Sequence, residues 1–293
     1  MSRLFSSQTI LRGAAAGALC AVLLLGCDGP IVARSPEALY ALAKEQMAHA
    51  NYSPAVDTLA RVVREAPQSE SARRAHVLRI ALLGGMARGF KDVAESYRAG
   101  AQQAGAAAYA TQMRSLAMDY FSRARGRSIE MVEALDRLMS EAATGPLRVD
   151  FPLPEVAAAD SAALGKVRQG NWVEDPARLQ AEQEEVRQGL AEMLATVLGA
   201  GGDIHKARGR FRGREVELDL AVFYLGLAQE IVDISSIYGP QALQDRRVFR
   251  LYHKRALAAA EQAARLAGEK GNTQLQEESE RLKRHCQEVL RKL

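Results

Sequence analysis

Along most of this chain apolar residues recur at spacings of three and four, the period of helices with one buried face. Ser35-Pro36-Glu37 opens the first helix with a capping hydroxyl, a proline suited to the first turn and an acid at the positive end of the helix dipole. Leu39, Leu42, Ala43 and Met47 share one face of it, to about Ala50. Ala50-Asn51-Tyr52 breaks the pattern. Ser53-Pro54 then starts a second helix, with Val56, Leu59, Val62 and Val63 apolar, that closes at Ala66-Pro67. A helix over Ala72 to Arg88 follows, with Val77, Ile80, Ala81 and Leu83 apolar, then one bearing Phe90, Val93, Ala94 and Tyr97. A third pair is expected as Ala107 to Ala124 and Ser128 to Ala142, built on Met113, Leu116, Tyr120, Phe121, Met131, Leu135 and Leu138.

Thr144 to Pro176 departs from this. Gly145-Pro146, Pro152, Pro154, Gly165, Gly170 and Pro176 punctuate it, which predicts a connector with an extended Leu147–Leu153 and a short helix over Val156 to Val167. Trp172, the single tryptophan, is read there as a packing anchor. Helix returns from Ala177 to Leu198, and Gly199 to Gly202 ends it. Arg214 to Tyr238 is strongly apolar, but Asp219, Glu230 and Asp233 interrupt it, so a buried core helix is expected rather than a membrane span. Asp245 to Gly268 and Thr273 to Leu293 complete the chain. The last shows a thin stripe of Leu275, Leu282, Cys286, Val289 and Leu293, wide enough for one partner helix.

The first residues carry a different signal. Arg3 and Arg12 precede an uncharged run from Gly13 to Gly26, which closes on Leu24-Leu25-Gly26-Cys27. A bilayer span needs about 20 apolar residues, so this shorter run has the layout of a cleaved signal peptide. Its end resembles the lipobox of bacterial lipoproteins. That resemblance implies cleavage before Cys27, acylation of its sulfur and new amino group, and a periplasmic chain held to a membrane by its lipid. Asp28 follows the cysteine, a position that favours the inner membrane in enteric bacteria, with the outer membrane as the alternative.

Pro36 to Ser69 resembles one tetratricopeptide repeat, a helix pair of about 34 residues. Leu39, Leu42 and Ala43 stand at the apolar and small positions of its first helix. Asn51-Tyr52 stands at the turn, Ala55 at the small crossing position, Leu59 at the large apolar one and Pro67 at the closing proline. Gln46 departs from the pattern, where an aromatic is usual, and the two following pairs match it only loosely. The resemblance implies stacked antiparallel helix pairs with a surface for a protein partner.

Composition narrows the chemistry. Aromatics make up 5% of residues, so close helix packing through small side chains is expected rather than sheet. The formal charge of +4 halves when the two leader arginines are removed, which leaves no global attraction for nucleic acid. Cys20 leaves with the leader and Cys27 is used by lipid, so Cys286 has no partner and is read as a small apolar residue. His49, His76, His205, His253 and His285 form no zinc-binding spacing. No serine elbow and no phosphate loop is present in the sequence, so neither enzyme activity nor a cofactor is expected. The acids Glu182, Glu184 and Glu185 are expected on a solvated face. One basic run stands out: Lys206, Arg208, Arg210, Arg212 and Arg214, on alternate positions with Gly209 and Gly213 between, expected as a loop that could meet an anion or an acidic partner.

Together these patterns predict an all-α chain of antiparallel helix pairs of tetratricopeptide-repeat type, an irregular α-solenoid. Residues 1–26 are the signal peptide, 27–34 a tether, 35–143 the repeats, 144–176 the connector and 177–293 a C-terminal helical region. The expected role is a membrane-anchored periplasmic scaffold or assembly factor with a protein partner in the cell envelope. The alternative is a helical ligand-binding accessory lipoprotein of a solute transport system. An open groove at the repeat faces favours the first, and an enclosed cavity lined by Tyr224, Trp172 or the arginine run favours the second.

Overall fold

The computed structural model describes residues 35–141, 146–156, 161–211, 213–239 and 242–293. The leader, the Leu24–Cys27 motif, Asp28 and Arg212 lie outside the described residues. The chain divides into Met1–Ser35 and a compact unit, Pro36–Leu293. Among the described residues every member of the buried core falls between Leu39 and Cys286, so this second unit has a core of its own.

The described residues are all-α apart from one two-residue ribbon. Ten helices run in order: α1 (Pro36–Ala48), α2 (Tyr52–Glu65), α3 (Glu70–Gln103), α4 (Ala107–Ser140), α5 (Ser161–Arg168), α6 (Ala177–Val197), α7 (Ile204–Phe211), α8 (Leu220–Ser235), α9 (Arg246–Glu269) and α10 (Thr273–Lys292). The ribbon pairs β1 (Arg148–Val149) antiparallel with β2 (Val216–Glu217), Arg148 opposite Glu217 and Val149 opposite Val216. Side chains cap several starts: Ser69 accepts from the Ala72 amide at 3.0 Å, Asp245 from Val248 at 3.1 Å and Asn272 from Leu275 at 3.1 Å. At the end of α1, Ala50 takes a left-handed φ of 58°, and the Asn51 amide turns back to the Gln46 carbonyl at 2.8 Å.

The first helix pair has the expected bounds, but the second and third are not pairs. Glu70–Gln103 is one continuous helix, and so is Ala107–Ser140. At about 1.5 Å per residue each is close to 50 Å long. Gly84, Gly85 and Gly89 do not break α3, because their missing side chains let another helix approach. A Cβ on Gly85 would lie 2.6 Å from the Cα of Leu190, and one on Gly89 would lie 2.5 Å from the Cα of Val186. From the other side, a Cβ on Gly189 would lie 2.7 Å from the Gly89 nitrogen. Backbone therefore meets backbone where α3 crosses α6, a contact that larger residues forbid. Gly126 is exposed within α4 with open space around it, and the buried Phe121, Met131 and Leu135 on either side hold the helix through it.

Around α3 pack α2, α4, α5, α6 and α8. Between α4 and α6 the described residues run extended around β1 and then form the short helix α5, while residues 157–160, where the short helix was expected to begin, lie outside the described residues. Trp172 stacks on Tyr109 with ring centroids 5.9 Å apart, and the Arg178 guanidinium sits 5.5 Å from its ring, which fits an anchor. The apolar segment before Tyr238 has the length and composition of a membrane span, with a mean hydropathy of 1.4 over Leu220–Tyr238. Here it is a core helix: Phe223, Leu227, Ile231 and Ile234 are fully buried. Alanines of α9, among them Ala256, Ala260 and Ala263, are fully buried where α8 and α10 pack against that helix. The thin stripe of α10 packs mainly on α9, with a smaller contact to α8, and Cys286 is buried.

Two glycine substitutions separate propensity from packing. Gly126→Ala, in open space, is expected to stabilise the protein by about 0.5–1 kcal/mol. Gly189→Ala gains the same helix preference, yet is expected to lose roughly 1–3 kcal/mol net through overpacking. Urea unfolding followed by circular dichroism checks both signs.

Candidate functional site

The turn between α1 and α2 forms one lip of a groove. Its floor is Met86 and Phe90 of α3 with Tyr120 of α4, and its far wall is Leu179, Glu182, Val186 and Arg187 of α6. This lobe holds about 600 Å³ and opens to solvent. A second lobe of about 530 Å³ shares His49, Ala50, Tyr52 and Arg187 with it and continues along Pro152, Leu153 and Pro154. The α3–α6 glycine contact places the floor against the wall, since Gly85 and Gly89 alternate with Met86 and Phe90 along one helix, and Gly189 lies two residues beyond Arg187.

Beneath the floor lies a buried polar network. Glu182 is 3% exposed. It accepts hydrogen bonds from the Tyr97 hydroxyl, from the Tyr120 hydroxyl at 2.6 Å and from Arg178 Nη1 at 2.7 Å. Arg178 reaches Asp175 at 2.5 Å with its other nitrogen. Burial, and then the hydrogen bonds to Glu182, raise both tyrosine pKa values far above that of a free phenol, so these hydroxyls stay protonated donors. The Tyr97 and Tyr120 rings stack at 6.1 Å. Glu182 was expected on a solvated helix face. It is buried instead because three donors from three helices converge on it, an arrangement that spacing along one helix does not reveal.

Cations edge the groove. Arg187 pairs with Glu184 at 2.7 Å and opposes the rise that burial imposes on the Tyr52 hydroxyl. Arg123 places its guanidinium 4.9 Å from the Tyr120 ring centre, and no ion pair engages it among the described residues. Arg127 donates to the Ser53 hydroxyl at 3.0 Å and ties α4 to the start of α2. Ala50, with its left-handed backbone, lines both lobes. The result is an apolar shelf with polar edges, suited to holding side chains of an extended or helical segment.

The arginine run is arranged otherwise than expected. It is mostly helix, α7, rather than a loop, and Asp203 caps it by accepting from the Lys206 amide at 2.9 Å. Residues two apart fall on different sides of a helix, so the alternate spacing scatters the charges. Lys206, Arg210 and Arg214 are exposed, with Arg210 against the Phe211 ring. Arg208 turns inward and donates to the Pro154 carbonyl at 2.6 Å, so it positions a residue of the second lobe. Among the described residues no group of three His, Cys, Asp or Glu side chains is arranged to hold a metal ion. His76 is a packing residue, its Nε2 against the Ala134 carbonyl at 2.9 Å, and burial pushes the Cys286 thiol up to about 11.

A second polar cluster joins α3, α6 and α8. Arg88 holds Glu230 at 2.8 Å and Glu192 at 3.2 Å, and Lys91 holds Asp233 at 2.6 Å. Burial pushes the Asp92 and Glu230 carboxyls up to about 7 against the pull of these cations. The sequence places these residues on three separate helices, so only the fold reveals their meeting.

No protein-family model matches the chain. No curated protein matches it. No solved structure matches it either.

Replacing Glu182 with alanine removes the shared acceptor of two buried hydroxyls and of Arg178 Nη1, with an expected loss of about 3–5 kcal/mol. Glu182→Gln retains an acceptor and is expected to cost less, and chemical unfolding checks the order. The Asp92 and Glu230 carboxyls hold protons more tightly in the folded chain than in the unfolded one. Their stabilisation is therefore present at low pH and lost as pH rises through about 7. His76 and His253, lowered by burial, act oppositely as pH falls through the ordinary histidine range. Unfolding free energy is thus expected to rise as pH falls from about 8 to about 6.5, and Glu230→Gln is expected to flatten that slope.

Proposed function

We propose that this chain is a lipid-anchored scaffold of a bacterial cell envelope that binds a segment of a protein partner in the groove beside the α1–α2 turn. The observation that carries the reading is the groove itself: open, two-lobed, apolar along its floor and polar at its edges. Its lip belongs to the segment that resembles a tetratricopeptide repeat. Leu39, Ala43, Ala55 and Leu59, which stand at the repeat's packing positions, are all buried. In this reading α1 and α2 form a single repeat-type hairpin, and α3 and α4 replace the neighbouring repeats that would otherwise cover its open face.

Anchorage rests on Leu24-Leu25-Gly26-Cys27, with the periplasmic face of the inner membrane favoured by Asp28. The ligand-binding alternative finds less support. Tyr224 packs edge-on to Phe223, Trp172 stacks on Tyr109, and neither lines either lobe.

A photo-crosslinking residue at Gln183, on the wall of the groove, is expected to capture one envelope protein in living cells. The same residue at Glu261, on α9, is expected to capture none. Leu179→Arg, at a position 43% exposed, is expected to remove the product without loss of folding. Absence of a Gln183 product, or recovery of the protein alone with a bound small molecule, would contradict the reading. Cys27→Ser is expected to move the chain into the soluble fraction after a high-salt wash.

A further inference from the structure

The hairpin of α9 and α10 is electrically lopsided. From Arg246 to Arg255 the chain carries five basic residues and no acid, and from Arg281 to Leu293 five basic residues and one acid, Glu288. Between these, residues 256–280 carry five acids and two bases. The two helices are antiparallel neighbours, and the Arg246 guanidinium donates to the Leu293 carbonyl, so both basic stretches gather at one end.

That end is also outward-facing. Arg247, Arg250, Leu251 and Lys254 fall on one side of α9, opposite the buried Ala256 and Ala260, by the 100° step of the helix. Arg247, Arg250, Lys254, Arg284, Arg291 and Lys292 are exposed, and none has an ion-pair partner among the described residues. The acids nearby do not neutralise them. Asp245 caps α9 through the Val248 amide, and Glu288 is one carboxylate among many cations. In the middle of the basic face Leu251 is 43% exposed. At the start of α9, on a different side of the helix, a separate apolar hollow of about 390 Å³ opens among Tyr238, Phe249 and Leu293, with Arg246 at its edge.

We propose that the basic end of α9 and α10 is a docking surface for the anionic headgroups of a phospholipid bilayer. Arginines and lysines spread along an exposed helical face suit a charged plane rather than a single small anion. Leu251 adds what a soluble polyanion would not use, an apolar contact for the interfacial carbons of lipid. The surface shares no residue with the groove. It would hold the domain against the membrane in one orientation, leaving the groove for its partner.

The test uses the unit Pro36–Leu293, which lacks Cys27, so lipid attachment plays no part. It is mixed with vesicles of equal parts phosphatidylglycerol and phosphatidylcholine, or of phosphatidylcholine alone, and bound protein is measured by flotation. Binding to the anionic vesicles alone is expected, weakening steeply as salt screens the charges. The triple variant Arg247→Glu/Arg250→Glu/Lys254→Glu is expected to reduce binding by at least about tenfold. Arg265→Glu, at the acidic end, is expected to leave it unchanged. Arg247→Gln/Arg250→Gln/Lys254→Gln serves if the reversed triple does not fold by circular dichroism. Equal binding by parent and folded variant, absence of binding at low salt, or binding to soluble polyglutamate but not to anionic vesicles would each overturn the proposal.

Discussion

Where α3 crosses α6 the two backbones touch, and the rest of the domain is arranged around that contact. Gly85 and Gly89 on one helix and Gly189 on the other leave no room for a Cβ between them. Three glycines inside helices cost on the order of 1 kcal/mol each in propensity. The close approach repays this by bringing the rows of larger side chains beside the glycines into contact along both helices. The same α3 surface meets α5 at Gly100, where a Cβ would fall 2.1 Å from the Val167 carbonyl oxygen. A helix of this length with so many buried positions can act as an axle only if its neighbours approach that closely.

The groove is a consequence of that geometry. With α6 drawn onto α3, the α1–α2 hairpin is displaced far enough to leave an open channel instead of a closed stack. Its floor does not collapse, because Tyr120 is fixed from below by Glu182, and Glu182 by Tyr97 and Arg178. Buried polar groups satisfied in this way set side-chain positions more narrowly than apolar packing alone. The wall residues thus present a preformed surface, which limits the ordering cost of binding a flexible segment.

Much of the fold was legible in the chain, and the exceptions share a cause. The caps at Ser69, Asp245 and Asn272, the break at Ala50-Asn51 and the glycine stop after α6 are local signals, and local signals report local structure faithfully. Dividing Glu70–Gln103 into two helices after Arg88 failed because a glycine such as Gly89, chosen for a distant neighbour, looks the same in sequence as one chosen to end a helix. The loop expected over the arginine run gave way for a related reason, since Lys206, Arg208 and Arg210 lie on a helix, where alternate residues do not share a face. For the groove, Tyr52, Phe90, Tyr120, Glu182 and Arg187 come from four helices, so no spacing links them. A hint existed in the aromatics, scarce at 5% of the chain, since Phe90, Tyr97 and Tyr120 fall within two consecutive helices.

Beside the continuous apolar core, polar contacts also join the two ends of the domain. Ser128 meets Tyr252 at 2.8 Å and Tyr238 at 3.2 Å, Arg255 meets Asp136 at 2.8 Å, and Arg88 and Lys91 hold the acids of α8. Such a junction orients the α8–α10 bundle without being the source of the stability, which is centred on α3. Native-state hydrogen exchange tests that ranking most directly. Amides of α3 from Gly84 to Tyr97 and of α6 around Gly189 are predicted to exchange last and to open together. Exchange there ahead of α8 and α9, or independently in α3 and α6, would contradict the account.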